Sequence, residues 1–211
     1  MAQRAMQRKG EQTRQAILEA AIVRFGREGY RTTSVADIAR DAGVGGTVAY
    51  AYFPNKESLF LAALDEDAAG VIEEGVTSIL GDLDLRDWRQ NLIGTLVQAV
   101  EHHPLAKRVL AGLEPDVTER VLEIPALTEL RKACAERISS EQLAGRVRSD
   151  IDPVRVGNGV VSIMLSLLMS VVQVGSNVAL AYGDDVTAVF EAAFDPPEAP
   201  ASPRSRGRAR S

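Results

Sequence analysis

Apolar residues recur along most of this chain at the three- and four-residue spacing of an amphipathic helix, and no window alternates at the two-residue spacing of a strand. Over 12–28, Ile17, Ala20, Ala21 and Phe25 share one face, and Gly29 supplies a C-terminal stop. Ser34-Val35-Ala36-Asp37 reads as a capping box, and it opens a short helix with Val35, Ile38, Ala39 and Ala42 on one stripe. Gly43 ends that helix, and a third short segment runs over 46–52 and stops before Pro54. From Lys56 a long helix reaches Leu80, with Leu59, Phe60, Ala63 and Leu64 facing inward. Pro54, Pro104, Pro115, Pro125 and Pro153 punctuate the rest, because proline breaks helices. Helices fit 84–102, 104–112, 115–143, 153–182 and 184–194. The pattern predicts an all-α protein of about nine helices, a three-helix head followed by a larger bundle.

Composition narrows the chemistry. The 211 residues are ample for a buried core, and 45% hydrophobic with 25% charged residues is ordinary globular usage. One cysteine, Cys134, excludes an internal disulfide framework and any Cys-rich zinc module, and it reads as a reduced, buried thiol. Residues 1–15 carry no apolar run, so no signal peptide is read there, and a cytoplasmic location follows. From Pro196 onward, four prolines and Arg204, Arg206, Arg208 and Arg210 read as a disordered basic tail.

The net charge of −5 argues against a nucleic-acid partner only until it is divided along the chain. Residues 1–60 hold nine Lys/Arg and six Asp/Glu, a net +3. Residues 61–195 hold eleven and twenty-two, a net −11, and residues 196–211 hold four and one, a net +3. Positive charge therefore sits with the head and the tail, and the acidic body is repelled by a polyanion.

Two short helices joined by Ala42-Gly43-Val44 have the spacing of a helix-turn-helix, with glycine at the turn and Val44 plugging the angle. The runs Thr33-Ser34-Val35-Ala36-Asp37-Ile38-Ala39-Arg40-Asp41-Ala42-Gly43-Val44 and Tyr50-Ala51-Tyr52-Phe53-Pro54-Asn55-Lys56-Glu57-Ser58-Leu59-Phe60 resemble the signature of the tetracycline-repressor (TetR/AcrR) family. Arg14, Ile17, Leu18, Ala21, Phe25, Gly29 and Tyr30 match its first helix, so the resemblance covers 12–64 without a gap. It implies a flexible basic arm over 1–11, a DNA-binding domain over 12–56 and a ligand-binding and dimerisation domain over 57–195. It also implies a sequence-specific regulator that represses from a palindromic operator as a homodimer and is released by a small molecule, with no enzyme activity and no cofactor.

The resemblance places 45–52 in the DNA major groove. Thr33 and Ser34, at a helix N-terminus, and Tyr50, Tyr52 and Lys56 are then expected on phosphates, which fix register rather than sequence. Members of the family commonly have a polar residue, a long side chain, a small Gly and then Thr or Ala where this chain has Gly45, Gly46, Thr47 and Val48. Two glycines give a base nothing to read and weaken a helix start by about 1 kcal/mol each, for which close backbone approach to DNA would compensate. Direct readout then falls on Thr47, Val48 and Ala51, helped by DNA shape and by Arg4, Arg8 and Lys9 on the arm.

The 28 residues between Arg155 and Asp184 are uncharged, long enough to cross a bilayer. No basic flank or second span supports a membrane helix, and a helix buried almost all round is the preferred reading. Within it Asn158, Ser162, Ser166, Ser170, Gln173 and Asn177 form a small-polar stripe, suited to a dimer seam or to a cavity wall. Ser162, Ser166, Ser170 and Gln173 are favoured for the dimer, with Val186, Val189 and Phe190 of the last helix. Trp88, Leu92, Leu96, Val109, Leu113, Leu127, Met164 and Leu168 are the candidates to line a ligand cavity, and their character leans toward a hydrophobic ligand. His102 and His103 are adjacent, do not face each other on a helix and predict no metal site. No phosphate loop, nucleophile elbow or zinc-binding His pair appears.

Overall fold

The computed structural model describes residues 2–80, 97–116, 122–175 and 177–195. Every regular element among them is helical: α1 (Ala2–Glu28), α2 (Val35–Asp41), α3 (Gly46–Tyr52), α4 (Lys56–Leu80), α5 (97–102), α6 (Pro104–Leu110), α7 (Pro125–Leu143), α8 (Pro153–Val174) and α9 (Asn177–Phe194). The expected helix over 84–102 is described only from residue 97, and the basic tail lies outside the described residues.

Three boundaries differ from the sequence reading. First, α1 starts at Ala2, so the expected arm is the beginning of a helix. Ala, Gln, Arg, Met and Lys are strong helix formers, and they extend a helix already nucleated against the core. Second, α7 opens at Pro125, not Pro115. Pro125 has no N–H to give and occupies the first turn, where none is needed. Third, the break between the last two helices falls at Gly175, whose φ of 108° ends α8. That backbone region is open essentially to glycine alone.

One buried cluster organises the head and continues into the body. Ile17, Leu18, Ala21 and Phe25 of α1 meet Ile38 of α2, Ala49 of α3, and Leu59, Phe60 and Leu64 of α4. The Phe60 ring lies 5.1 Å from both Phe25 and Tyr30, edge-on to each. Leu105, Val109, Leu127 and Val161 join the same cluster, so the boundary expected at 56/57 falls where α4 enters a core shared by both parts. In the body α8 packs against the backbone of α7 at Gly157, where a Cβ would stand 3.0 Å from Ala135 N. By length and composition α8 is the one described helix able to cross a membrane, and 39% of that window is buried inside the bundle. Cys134 of α7 packs on the core, and burial pushes its thiol up from the ordinary value.

Candidate DNA-reading face and ligand cavity

The helix-turn-helix is fixed by local hydrogen bonds. Ser34 caps α2 by accepting from Asp37 N at 3.1 Å, and its hydroxyl donates to Asp37 Oδ2 at 2.6 Å. At the far end Gly43 N donates to Arg40 O and Val44 N to Ala39 O, with Gly43 at a φ of 69°. That left-handed turn sets the angle at which α3 leaves. Buried Ala49 seats α3 on the core, and Asn55 starts α4 by accepting from Ser58 N at 2.7 Å. Arg24 of α1 holds α2 from behind through both oxygens of Asp41, at 2.6 and 3.3 Å.

Against this frame the expected contact residues divide. Gly45, Thr47, Val48, Tyr50 and Ala51 are exposed on the outer face of α3, and Gly46 and Tyr52 are half-buried. Thr33 is not available to a phosphate, because it is buried and its hydroxyl donates to Gly29 O at 2.8 Å. Ser34 is exposed, with its hydroxyl engaged in the cap. Lys56 is also turned inward: its ammonium lies 4.5 Å from the centre of the Tyr30 ring and donates to Arg31 O at 3.3 Å. Burial there pushes its pKa down.

The turn and its neighbours hold glycines of two kinds. Gly43 is required by its positive φ. Gly45 has an ordinary φ of −71°, and a Cβ there would meet only Val48 Cγ2 at 3.9 Å. At Gly46 a Cβ would meet nothing within 4 Å. Neither backbone geometry nor internal packing asks for glycine at these two positions, although a helix start without side chains is weaker for it.

Behind the head lies an apolar cavity of about 90 Å³ between α4, α6, α7 and α8. Val109, Leu127, Met164 and Leu168 line it as expected from the sequence. Trp88, Leu92 and Leu96 lie outside the described residues. Leu113 is not in the wall: α6 ends at Leu110, Gly112 turns with a φ of 73°, and Leu113 emerges 57% exposed. The sequence reading missed the rest of the wall, among it Leu64, Ala68, Val71 and Ile72 of α4 and Ala106 and Leu110 of α6. Leu64 read only as an inward position of its helix, and only the fold separates cavity wall from filled core.

The helix α6 is suspended from three other parts of the molecule. Buried Asp67 of α4 caps its N-terminus, with Oδ2 accepting from Leu105 N at 2.9 Å and Ala106 N at 2.8 Å. His103 Nδ1 faces Asp67 Oδ1 at 2.9 Å, and the ring sits where any Cβ on Gly70 would overlap it. Gln173 of α8 donates to Leu110 O at 2.8 Å, closing the other end. Just beyond, buried Glu114 accepts from Arg108 Nε at 2.5 Å and from Tyr30 N, in the α1–α2 turn, at 3.1 Å. One helix thus walls the cavity and is bonded to the head.

The small-polar stripe of α8 faces away from the cavity. Ser162, Ser166, Ser170 and Gln173 are exposed, and the three hydroxyls each donate to the carbonyl one turn back at 2.9 Å. Ile163, Ser166 and Ser170 form a groove with Val186 and Val189 of α9. Phe190 does not belong to that surface: it is buried with Phe194, Ile138 and Val160 inside the chain. Among the described residues no cluster of three metal-ligating side chains occurs.

Residues 17–63 match the family model described as bacterial regulatory proteins, tetR family. The chain is 28% identical over 142 residues to the HTH-type transcriptional repressor AcnR of Corynebacterium diphtheriae, covering 65% of this chain and 70% of that protein. Its fold is similar to that of a TetR-family regulator from Rhodococcus sp., with a TM-score of 0.65 at 20% identity over 88% of this chain and 100% of the other. It is similar also to the fatty acid degradation regulator FadR from Bacillus halodurans, with a TM-score of 0.64 at 16% identity over 84% of this chain and 93% of that one. Residues 17–63 are therefore a tetR-family helix-turn-helix domain, and the all-helical body behind it has the fold of TetR-family regulators.

Proposed function

We propose that the protein is a cytoplasmic repressor that binds a two-fold operator as a homodimer and leaves it when an apolar small molecule enters the cavity. The observation that carries this reading is the outer face of α3. It is exposed from Thr47 to Ala51, held rigidly on buried Ala49, and not used by any other part of the described chain. In the major groove Thr47 offers a hydroxyl, Val48 and Ala51 offer methyl groups to thymine, and Tyr50 reaches outward to a phosphate. Selection of duplexes from a random pool tests this. An enriched palindrome whose binding is weakened by Thr47→Ala or Val48→Ala supports it, and a pool without enrichment overturns it.

The cavity supports an uncharged, largely aliphatic ligand. Its wall is aliphatic side chains and Met164, so a charged or strongly polar molecule would lose its hydration without replacement. The relative FadR is described as a regulator of fatty acid degradation, which is in keeping with an apolar effector. Because α6 both walls the cavity and carries the turn of Glu114, a ligand that moves α6 shifts the population of head positions.

Two heads must reach half-sites about 34–36 Å apart, which requires a dimer. The α8 stripe suits a second copy, because its hydroxyls are already satisfied and small side chains let helices approach closely. Exposed Val189 lies beside it. Val189→Glu should give folded monomers by light scattering with an unchanged helical circular dichroism spectrum, and a persisting dimer would remove the seam from this face.

A further inference from the structure

The head carries nine Lys/Arg, and six of them are engaged by other groups of the chain. Arg24 is paired with Asp41 and Glu28, Arg27 with Glu28, Arg31 with Asp116 and Arg40 with Asp37. Lys56 lies over the Tyr30 ring, and Arg14 lies over the Phe53 ring at 5.4 Å. The remaining three, Arg4, Arg8 and Lys9, are exposed on the first turns of α1, with no ion pair among the described residues. These turns do not stand apart from the reading face. A Cβ on Gly10 would meet Tyr52 Oη, at the end of α3, at 3.6 Å. Arg4 lies about 9 Å further along the helix axis, and Arg4 and Arg8, one turn apart, share a face.

We propose that the helical N-terminal extension of α1 is a second DNA contact, a basic helix that lies on the sugar-phosphate backbone beside α3 and supplies most of the free positive charge of the head. This rests on the DNA-binding reading above and concerns how the duplex is held. The helical state decides which part of the duplex is touched. A helix with its side chains is about 10–12 Å across, and the minor groove is about 6 Å wide. An extended arm could thread that groove and read A·T content; a helix stays outside it, on the phosphates. The contact therefore adds affinity and salt dependence without adding sequence preference.

The full chain is tested with a duplex selected by the wild type and with a scrambled duplex, from 50 to 200 mM salt. Arg4→Ala/Arg8→Ala/Lys9→Ala should flatten the plot of log K against log salt by about 2.7 per head, because each phosphate contact contributes about 0.9. The loss should be equal for both duplexes, and unchanged when A·T pairs flanking the site become G·C. Gly10→Pro separates helix from arm: proline is tolerated at a helix start, so α1 would begin at residue 10 and release the residues before it. It should weaken binding as the triple variant does. An unchanged slope in the triple variant, or a loss confined to A·T flanks, overturns the proposal, as does full binding by Gly10→Pro. A wild type that selects no duplex overturns instead the DNA reading on which it rests.

Discussion

The head and the body are built from the same kind of helix but packed to different ends. In the head Ile17, Phe25, Ile38, Leu59 and Phe60 are completely buried, and three aromatic rings interlock around Phe60. In the body Ile138, Met164, Leu167 and Leu168 keep 7 to 9% of their surface, the buried side chains are mainly aliphatic, and a cavity remains beside Met164 and Leu168. A closed, interdigitated core has one arrangement, which is what a reading helix of seven residues needs behind it. A looser aliphatic core leaves room for a guest and for the movement of a wall. Precision and adaptability are divided between the two ends of α4.

The largest test of this contrast is Phe60→Ala. It empties the middle of the aromatic cluster and should cost about 3–5 kcal/mol in urea unfolding, abolishing DNA binding with it. A loss below about 1 kcal/mol would show that the head is not the rigid part.

The same substitution at two sites on α4 sharpens the comparison. Ala63→Leu forces a larger side chain into the sealed core and should destabilise by about 1–3 kcal/mol. Ala68→Leu points the same group into the cavity and should be tolerated within about 0.5 kcal/mol while blocking ligand. Equal costs would mean that the cavity closes on itself in solution.

Gly46→Ala should act oppositely on fold and function. Nothing in the chain lies near the added methyl group, so thermal stability should rise by up to about 1 kcal/mol. Affinity for the selected duplex should nevertheless fall about tenfold, as the backbone is held off the base edges. Unaltered binding would show that the glycine serves no close approach.

The smallest effect is in the body. Buried Glu141 has its pKa held below the ordinary carboxylate value, chiefly by the Arg146 hydrogen bond at 2.5 Å, with Arg137 at 3.0 Å adding to it and burial opposing both. A depressed folded-state value stabilises above the unfolded carboxylate value of about 4.3, and that stability is lost as pH falls through the folded value. The melting-temperature gap between wild type and Glu141→Gln should thus be widest near neutral pH and shrink on acidification. A gap that does not change with pH would show that the charge of Glu141 contributes nothing.

How much of this was legible beforehand follows from the range of the interactions. Ser34, Gly43 and Ile38 could be placed because a cap, a turn and an inward position depend on residues within one or two turns. Phe190 and Leu113 could not. Phe190 sits on an apolar stripe that fits a partner chain as well as its own, and only the approach of Ile138 and Val160 chose the latter. Leu113 belongs to a helical pattern that Gly112 ends. Thr33 and Lys56 share the family motif, but Gly29 O and the Tyr30 ring take their polar groups.

By itself, then, the sequence determined the helical class, the helix-turn-helix, the family resemblance and the division of charge, because periodicity, caps and local turns are written in neighbouring residues. The tertiary structure alone decided which apolar stripe leaves a cavity, which polar stripe faces outward, which cations remain unpaired, and how α6 ties the cavity to the head. Those outcomes depend on pairs such as Asp67 with Leu105 and Glu114 with Tyr30, far apart in the chain, and nothing local to either partner records the other.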